Sequence, residues 1–171
     1  MGKIAITFVT LWELFKSLWF VWLLAFIVAA APVLSNILIR KIKEARLRKW
    51  LEKHKKLEDW KKLDGREFEK IVALIYKNLG YKAKIIGGAG DRGIDIVMQK
   101  DNKNWFIQCK QMGAVSPKYV REFYGSVVSR LGEGEKGFLV TTGDFTEEGK
   151  EFAKDKPLEL IDGLKLEKLA K

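Results

Sequence analysis

Two residue types that many hydrolytic and secreted folds depend on are nearly missing from this chain. Cys109 is the only cysteine among 171 residues, which excludes an intrachain disulfide and fits a reducing compartment. His54 is the only histidine. That removes zinc fingers, histidine-ligated metallohydrolases, Ser-His-Asp triads and nucleases built on paired histidines. Any hydrolytic chemistry must run on carboxylates, lysines, hydroxyls and a metal ion. Gln and Asn are scarce beside Lys and Glu, a balance that heat-adapted proteins favour. There is no internal repeat and no low-complexity tract.

Charge is missing from one stretch. Between Ser17 and Ile39, 23 residues carry no Asp, Glu, Lys or Arg. At about 1.5 Å per residue such a helix exceeds a hydrocarbon core of roughly 30 Å. A soluble core helix of this length would show a polar face, and this one shows none. Trp12, Trp19 and Trp22 gather toward one end, as interfacial aromatics do. Pro32 is expected to kink the helix, which membrane helices tolerate. A cleaved leader fits poorly, because the apolar run continues past Ala29–Ala31 and Pro32 would follow the cut. Residues 4–16 are apolar apart from Glu13 and Lys16 and suit either an interfacial segment or an extension of the helix.

Positive charge is concentrated just beyond this run. The formal charge is +10, yet residues 40–63 alone hold 11 Lys/Arg against 4 acids, and residues 64–171 hold 19 against 17. The basic flank orients a single-pass helix with the C-terminal part in the cytoplasm. Leu47, Trp50, Leu51, His54 and Leu57 have helical spacing, so His54 reads as a stripe residue rather than a ligand. The chain thus divides into a transmembrane anchor over 1–39, which meets membrane lipid through residues 17–39, a basic juxtamembrane helix over 40–63, and a domain over 64–171. The basic helix reads as a solvated segment, the alternative being a grip on anionic lipid or DNA phosphates.

The C-terminal domain alternates element types. "DGREFEKIVALIYKNLG" places Phe68, Ile71, Val72, Ile75 and Leu79 on one helical face, with Gly80 as the stop. "YKAKII" reads as a strand, "GGAGDRG" as a loop, and "IDIVMQ" and "NWFIQCK" as two strands of a hairpin. Ser116 and Pro117 start a helix that runs to about Leu131. "KGFLVTTG" is a buried strand, "TEEGKEFAK" a helix capped by Thr146, and "LELI" and "LKLEKLAK" a final strand and helix. The order predicts a mixed α/β sandwich.

The hairpin carries the chemistry. A two-residue turn at Asp101 and Asn102 makes Asp95 face Gln108, and alternation puts Lys110 on the same face as Gln108. Ile94, Ile96, Ile107 and Cys109 then point into the core, which makes Cys109 a small hydrophobe rather than a nucleophile. Glu69, at the edge of the first helix's apolar face, is aimed at the sheet. Two carboxylates, an amide and a lysine around one point suit a hard cation such as Mg²⁺, with phosphoryl chemistry as its use. Singly these residues are an ordinary turn acid, helix acid and surface lysine; the constellation carries the reading.

"DRGID" followed by "QCK", with "FEKIVALIYKNLGY", "GAGDRGIDI", "VTTGDFTEEGKEFA" and "LIDGLKL" in order, resembles the Mrr-like restriction endonuclease domain of the PD-(D/E)xK nuclease superfamily over about residues 64–168. The resemblance implies a restriction-endonuclease-like fold, a mixed sheet flanked by helices, and Mg²⁺- or Mn²⁺-dependent cleavage of DNA. It carries the family's helix acid to Glu69, its strand acid to Asp95, its amide to Gln108 and its lysine to Lys110, with the Cys109 backbone carbonyl as a further metal ligand. Gln108 departs from the wider superfamily, where an acid is usual, and matches this branch. The loop "GGAGDRG" lacks the Gly-Lys-Ser/Thr ending of a P-loop. Its glycines leave room for DNA to approach, with Asp91 an auxiliary acid, and a plain turn fits them equally. Arg92, Lys118 and Arg121 are candidate phosphate contacts. Cutting both strands of a duplex needs two such sites, hence a homodimer. A membrane-tethered, non-catalytic DNA-binding module of the same fold is the alternative, and a membrane protein whose basic helix binds lipid or a partner is a third.

Overall fold

The structure is a computed structural model that describes residues 12, 13, 15, 16, 18–86 and 93–171. The chain divides into two compact units, Met1–Leu47 and Arg48–Lys171. Helix α1 (Trp19–Lys53) holds the apolar run without a break, Pro32 included. Pro32 has no N–H for the preceding turn, and the Ser35 hydroxyl donates to the Pro32 carbonyl at 3.0 Å. None of the apolar stretch is buried within the protein, and among the described residues this is the one helix long and apolar enough to cross a membrane.

The basic segment is not one helix to residue 63. α1 stops at Lys53, and a short helix α2 (Leu57–Trp60) follows. His54 explains the break: its ring stacks on Trp50 with centroids 4.4 Å apart, its Nδ1 meets the Trp50 carbonyl at 2.9 Å, and its own carbonyl accepts the Trp60 indole N–H at 2.8 Å. Trp60 is fully buried, so folding it inward turns the chain.

Helix α3 (Gly65–Asn78) begins with a capping box between Asp64 and Glu67, two orphan N–H groups satisfied reciprocally. It ends in a Schellman motif. Gly80 takes φ +88°, its N–H reaches the Lys77 carbonyl and the Tyr81 N–H reaches the Tyr76 carbonyl, both at 3.0 Å. Leu79, expected on the buried face, is 39 % exposed, because the chain leaves the helical path there.

The sheet follows: β1 (Lys82–Ile85), β2 (Ile96–Lys100), β3 (Lys103–Lys110), β5 (Gly137–Thr141) and β7 (Leu158–Ile161), in that spatial order. β1, β2 and β3 pair antiparallel; β3, β5 and β7 pair parallel. The hairpin register is the expected one, Lys100 opposite Lys103 and Ile96 opposite Ile107. Asp101 and Asn102 take φ 51° and 59°, as a two-residue type I′ turn requires. Two short parallel strands, β4 (Ala114–Val115) and β6 (Asp144–Phe145), form a separate ladder too short for any period to announce.

Helix α4 (Pro117–Val127) ends four residues before Leu131, its last turn tightening to a 3₁₀ helix over Val128–Arg130. Ser116 precedes Pro117 but makes no side-chain cap bond. Helices α5 (Glu147–Ala153) and α6 (Gly163–Leu169) are capped by Thr146 and Asp162. α3 packs on β1, β2 and β3 and sets Tyr76 edge-on to Phe138 at 5.9 Å. Leu139, next along β5 and so on the opposite face, packs with Phe123, Val127 and Ala153 of α4 and α5. β3 therefore lies centrally, with α3 against one face and α4 against the other.

Candidate active site at the end of β3

Asp95 sits one residue before β2 and is held three ways. Its N–H donates to the Ile107 carbonyl at 2.8 Å and its carbonyl accepts the Ile86 N–H at 2.8 Å. Its Oδ2 accepts the Cys109 N–H at 2.7 Å. The hairpin ladder thus stops one pair short of the expected Asp95–Gln108 partnership, and a carboxylate replaces the missing backbone acceptor. That corrects the simple alternation: the Asp95 carboxylate lies at the strand's open edge, against Cys109, rather than across from Gln108. In an extended strand, N–H and C=O of one residue point the same way. The Cys109 carbonyl therefore also faces this edge, beyond the last β2–β3 pair.

Glu69 approaches the same residue from α3. Desolvation pushes the Cys109 thiol well above its ordinary value, and the negative charges of Asp95 and then Glu69 raise it further. Both carboxylates are thus near enough to act on one sulfur. The residue keeps some exposed surface, yet its thiol stays protonated at neutral pH, so it is a poor nucleophile.

Gln108 and Lys110 look toward α4. Gln108 is only 9 % exposed, and its Oε1 is buried without a hydrogen-bond partner among the described residues. Its amide lies over Gly93: a Cβ there would come within 2.6 Å of Nε2 and 3.9 Å of the Ser126 hydroxyl. Gly93 also has φ +78°, so both space and backbone require glycine. The Lys110 ammonium lies 5.4 Å from the Tyr119 ring centroid.

The four residues thus come to the end of β3 from two faces, Glu69 and Asp95 around the Cys109 thiol, Gln108 and Lys110 on the α4 side. Asp91 and Arg92 lie outside the described residues. Lys118 is exposed and pairs with Glu122 at 4.0 Å, and Arg121 stacks on Phe152 at 5.3 Å, so both serve α4's outer surface. Gln111 and Tyr119 had no role in the sequence reading, and Gly93 figured there only among the loop glycines expected to leave room for DNA. The Gln111 amide donates to the Trp60 and Leu63 carbonyls at 3.0 and 2.7 Å, tying the end of β3 to the chain that leads into α3. The glycine of "DRGID", two residues before Asp95, was the one visible signal.

Among the described residues no three His, Cys, Asp or Glu side chains form a metal cluster. The donors that could serve are two carboxylates, the Cys109 carbonyl and the orphaned Gln108 Oε1. All are oxygen, which fits Mg²⁺ or Mn²⁺ and not a thiophilic ion.

Residues 60–170 match the family model Mrr_cat, described as restriction endonuclease. An uncharacterised mitochondrial protein of Schizosaccharomyces pombe is 33 % identical over 90 residues, covering 48 % of this chain and 36 % of that protein. The fold is similar to the DNA modification-dependent restriction endonuclease AspBHI, with a TM-score of 0.54 at 19 % identity over 66 % of this chain and 33 % of that one. It is also similar to protein VC1899 from Vibrio cholerae, with a TM-score of 0.52 at 19 % identity over 63 % and 32 %. This chain spans about a third of each of these proteins. The likeness to AspBHI matches the restriction-endonuclease-like arrangement of a mixed sheet between helices.

Proposed function

The chain belongs to the Mrr_cat restriction endonuclease family, and on that premise we propose that residues 64–171 form a Mg²⁺- or Mn²⁺-dependent DNA endonuclease tethered to a membrane by residues 17–39, with the nuclease on the cytoplasmic side. The observation that carries the reading is Asp95, clamped by three hydrogen bonds just before β2 begins, its carboxylate on the backbone between Gln108 and Lys110. A general surface acid has no need of such bracing; a group that must hold an ion in one place does.

Asp95, Glu69 and the Cys109 carbonyl would hold the metal at the open edge of β3, and Gln108 Oε1 would join them from the α4 side. A divalent ion bound there would offset the charge of the scissile phosphate and would make water a better nucleophile. The protein's own part is positional. Asp95 is fixed by the Cys109 N–H, Gln108 by Gly93, and Glu69 by the capped first turns of α3. Lys110 supplies a cation for a phosphate oxygen, stabilising charge as the phosphodiester is hydrolysed. The basic residues that follow Ile39 favour a cytoplasmic C-terminal domain.

The test is incubation of the full chain, in detergent, with supercoiled plasmid and Mg²⁺, Mn²⁺ or EDTA. Nicking with either metal and none with EDTA is the expected result. Plasmid binding without nicking in any metal would leave the tethered, non-catalytic DNA-binding module as the better account.

A further inference from the structure

We propose that Tyr119 is a positioning residue for Lys110, its ring face holding the ε-ammonium at the end of β3. The inference rests on the reading of Lys110 as the lysine of the hydrolytic site.

Lysine reaches its charge through four rotatable bonds, so an ammonium needed at one point must be steadied. A carboxylate could do that, but would neutralise the charge and compete with a phosphate. An aromatic face attracts the cation through its quadrupole and leaves the charge intact. Lys110 has this second kind of partner, the Tyr119 ring at 5.4 Å.

Two other lysines show what is distinctive. Lys100 lies over Tyr81 at 4.8 Å and also donates to the Leu79 carbonyl at 3.3 Å. Lys156 lies over Phe152 at 4.0 Å and also donates to that residue's carbonyl at 2.8 Å. Both have their N–H donors engaged and serve the fold. Lys110 has the ring and, among the described residues, no oxygen acceptor. Its donors remain available to an incoming phosphate.

The ring is itself held in place. Tyr119 follows Pro117 in the first turn of α4, its N–H reaches the Ser116 carbonyl at 3.1 Å, and its half-buried side chain packs on the cluster of Ile94, Val115, Val120 and Phe123. The helix start thus transmits the position of the core to the lysine.

The experiment compares the full-length wild type, Tyr119→Phe, Tyr119→Leu and Lys110→Ala in detergent. It reads kcat and KM for plasmid nicking, and the NMR shift of the Lys110 ε-methylene in lysine-labelled protein. Tyr119→Leu is expected to lower kcat about three- to thirtyfold with KM unchanged, while Tyr119→Phe stays near wild type. The ε-methylene signal should carry an upfield ring-current shift with Tyr or Phe and lose it with Leu. Wild-type nicking by Tyr119→Leu beside an inactive Lys110→Ala overturns the role of Tyr119 and leaves the site standing. An active Lys110→Ala overturns the site, and this role with it. Should the leucine variant not fold, increasingly fluorinated phenylalanines at position 119 keep the shape and weaken the ring face. A rate that does not fall along that series overturns the proposal.

Discussion

Helix α1 leaves Phe26 70 % and Leu34 63 % exposed, while the end of β3 buries Gln108 to 9 % with an oxygen that bonds nothing among the described residues. The two regions depart from the usual distribution of side chains in opposite directions. An extended apolar surface in the open calls for an apolar surrounding. A buried, unpaired oxygen costs about 1–3 kcal/mol and calls for a ligand. The C-terminal unit otherwise has an ordinary core, with Phe68, Ile71, Ile107 and Leu139 nearly free of solvent. On the proposed reading, the departures are where the protein would meet something else, a bilayer at one and a cation with DNA at the other.

That contrast can be broken at either pole. The largest effect is all-or-none: the full chain should resist carbonate extraction from membranes, and the chain lacking residues 1–39 should not. Extraction of the full chain would remove the membrane from the account. Next, Lys110→Ala should lower plasmid nicking about a hundredfold or more with an unchanged unfolding midpoint. Gly93→Ala follows. A methyl 2.6 Å from the Gln108 amide, on a backbone with φ +78°, should destabilise the domain by about 1–3 kcal/mol in denaturant titration. Gln108→Glu should lower the half-saturating Mg²⁺ concentration severalfold, because a charged oxygen replaces a dipole beside the dication. An unchanged or higher value would mean that the amide serves the Gly93 turn alone.

The smallest effect tests pH. Glu135 accepts from the Gly132 N–H and the Asn104 N–H, which hold its carboxyl below the usual range. A depressed folded value stabilises above the unfolded carboxylate's value of about 4.3 and is lost as pH falls through the folded one. Glu135→Gln should therefore cost less than about 1 kcal/mol at neutral pH, and the two denaturation midpoints should converge in acid.

Much of this was legible in the sequence because it is local. The turn at Asp101 and Asn102 fixed the parity of the hairpin, and the stop at Gly80 and the cap at Thr146 follow from residue type. The position of Asp95 was not legible in the same way. Strand alternation assumes a ladder that continues, and here the ladder stops at Ile96 and Ile107 so that a side chain can take over from the backbone. Nor could spacing reveal that Trp60 folds inward and breaks the basic helix, or that Tyr119 meets Lys110. Those contacts join segments that only the tertiary fold brings together.

The most direct test of the site is Asp95→Asn in the full chain. Asparagine keeps an oxygen for the Cys109 N–H and removes the charge, so fold and function separate. The account predicts an unchanged thermal midpoint without metal, loss of the stabilisation that Mg²⁺ or Mn²⁺ gives the wild type, and no nicking of plasmid. A well-folded Asp95→Asn protein that nicks plasmid at the wild-type rate would contradict it.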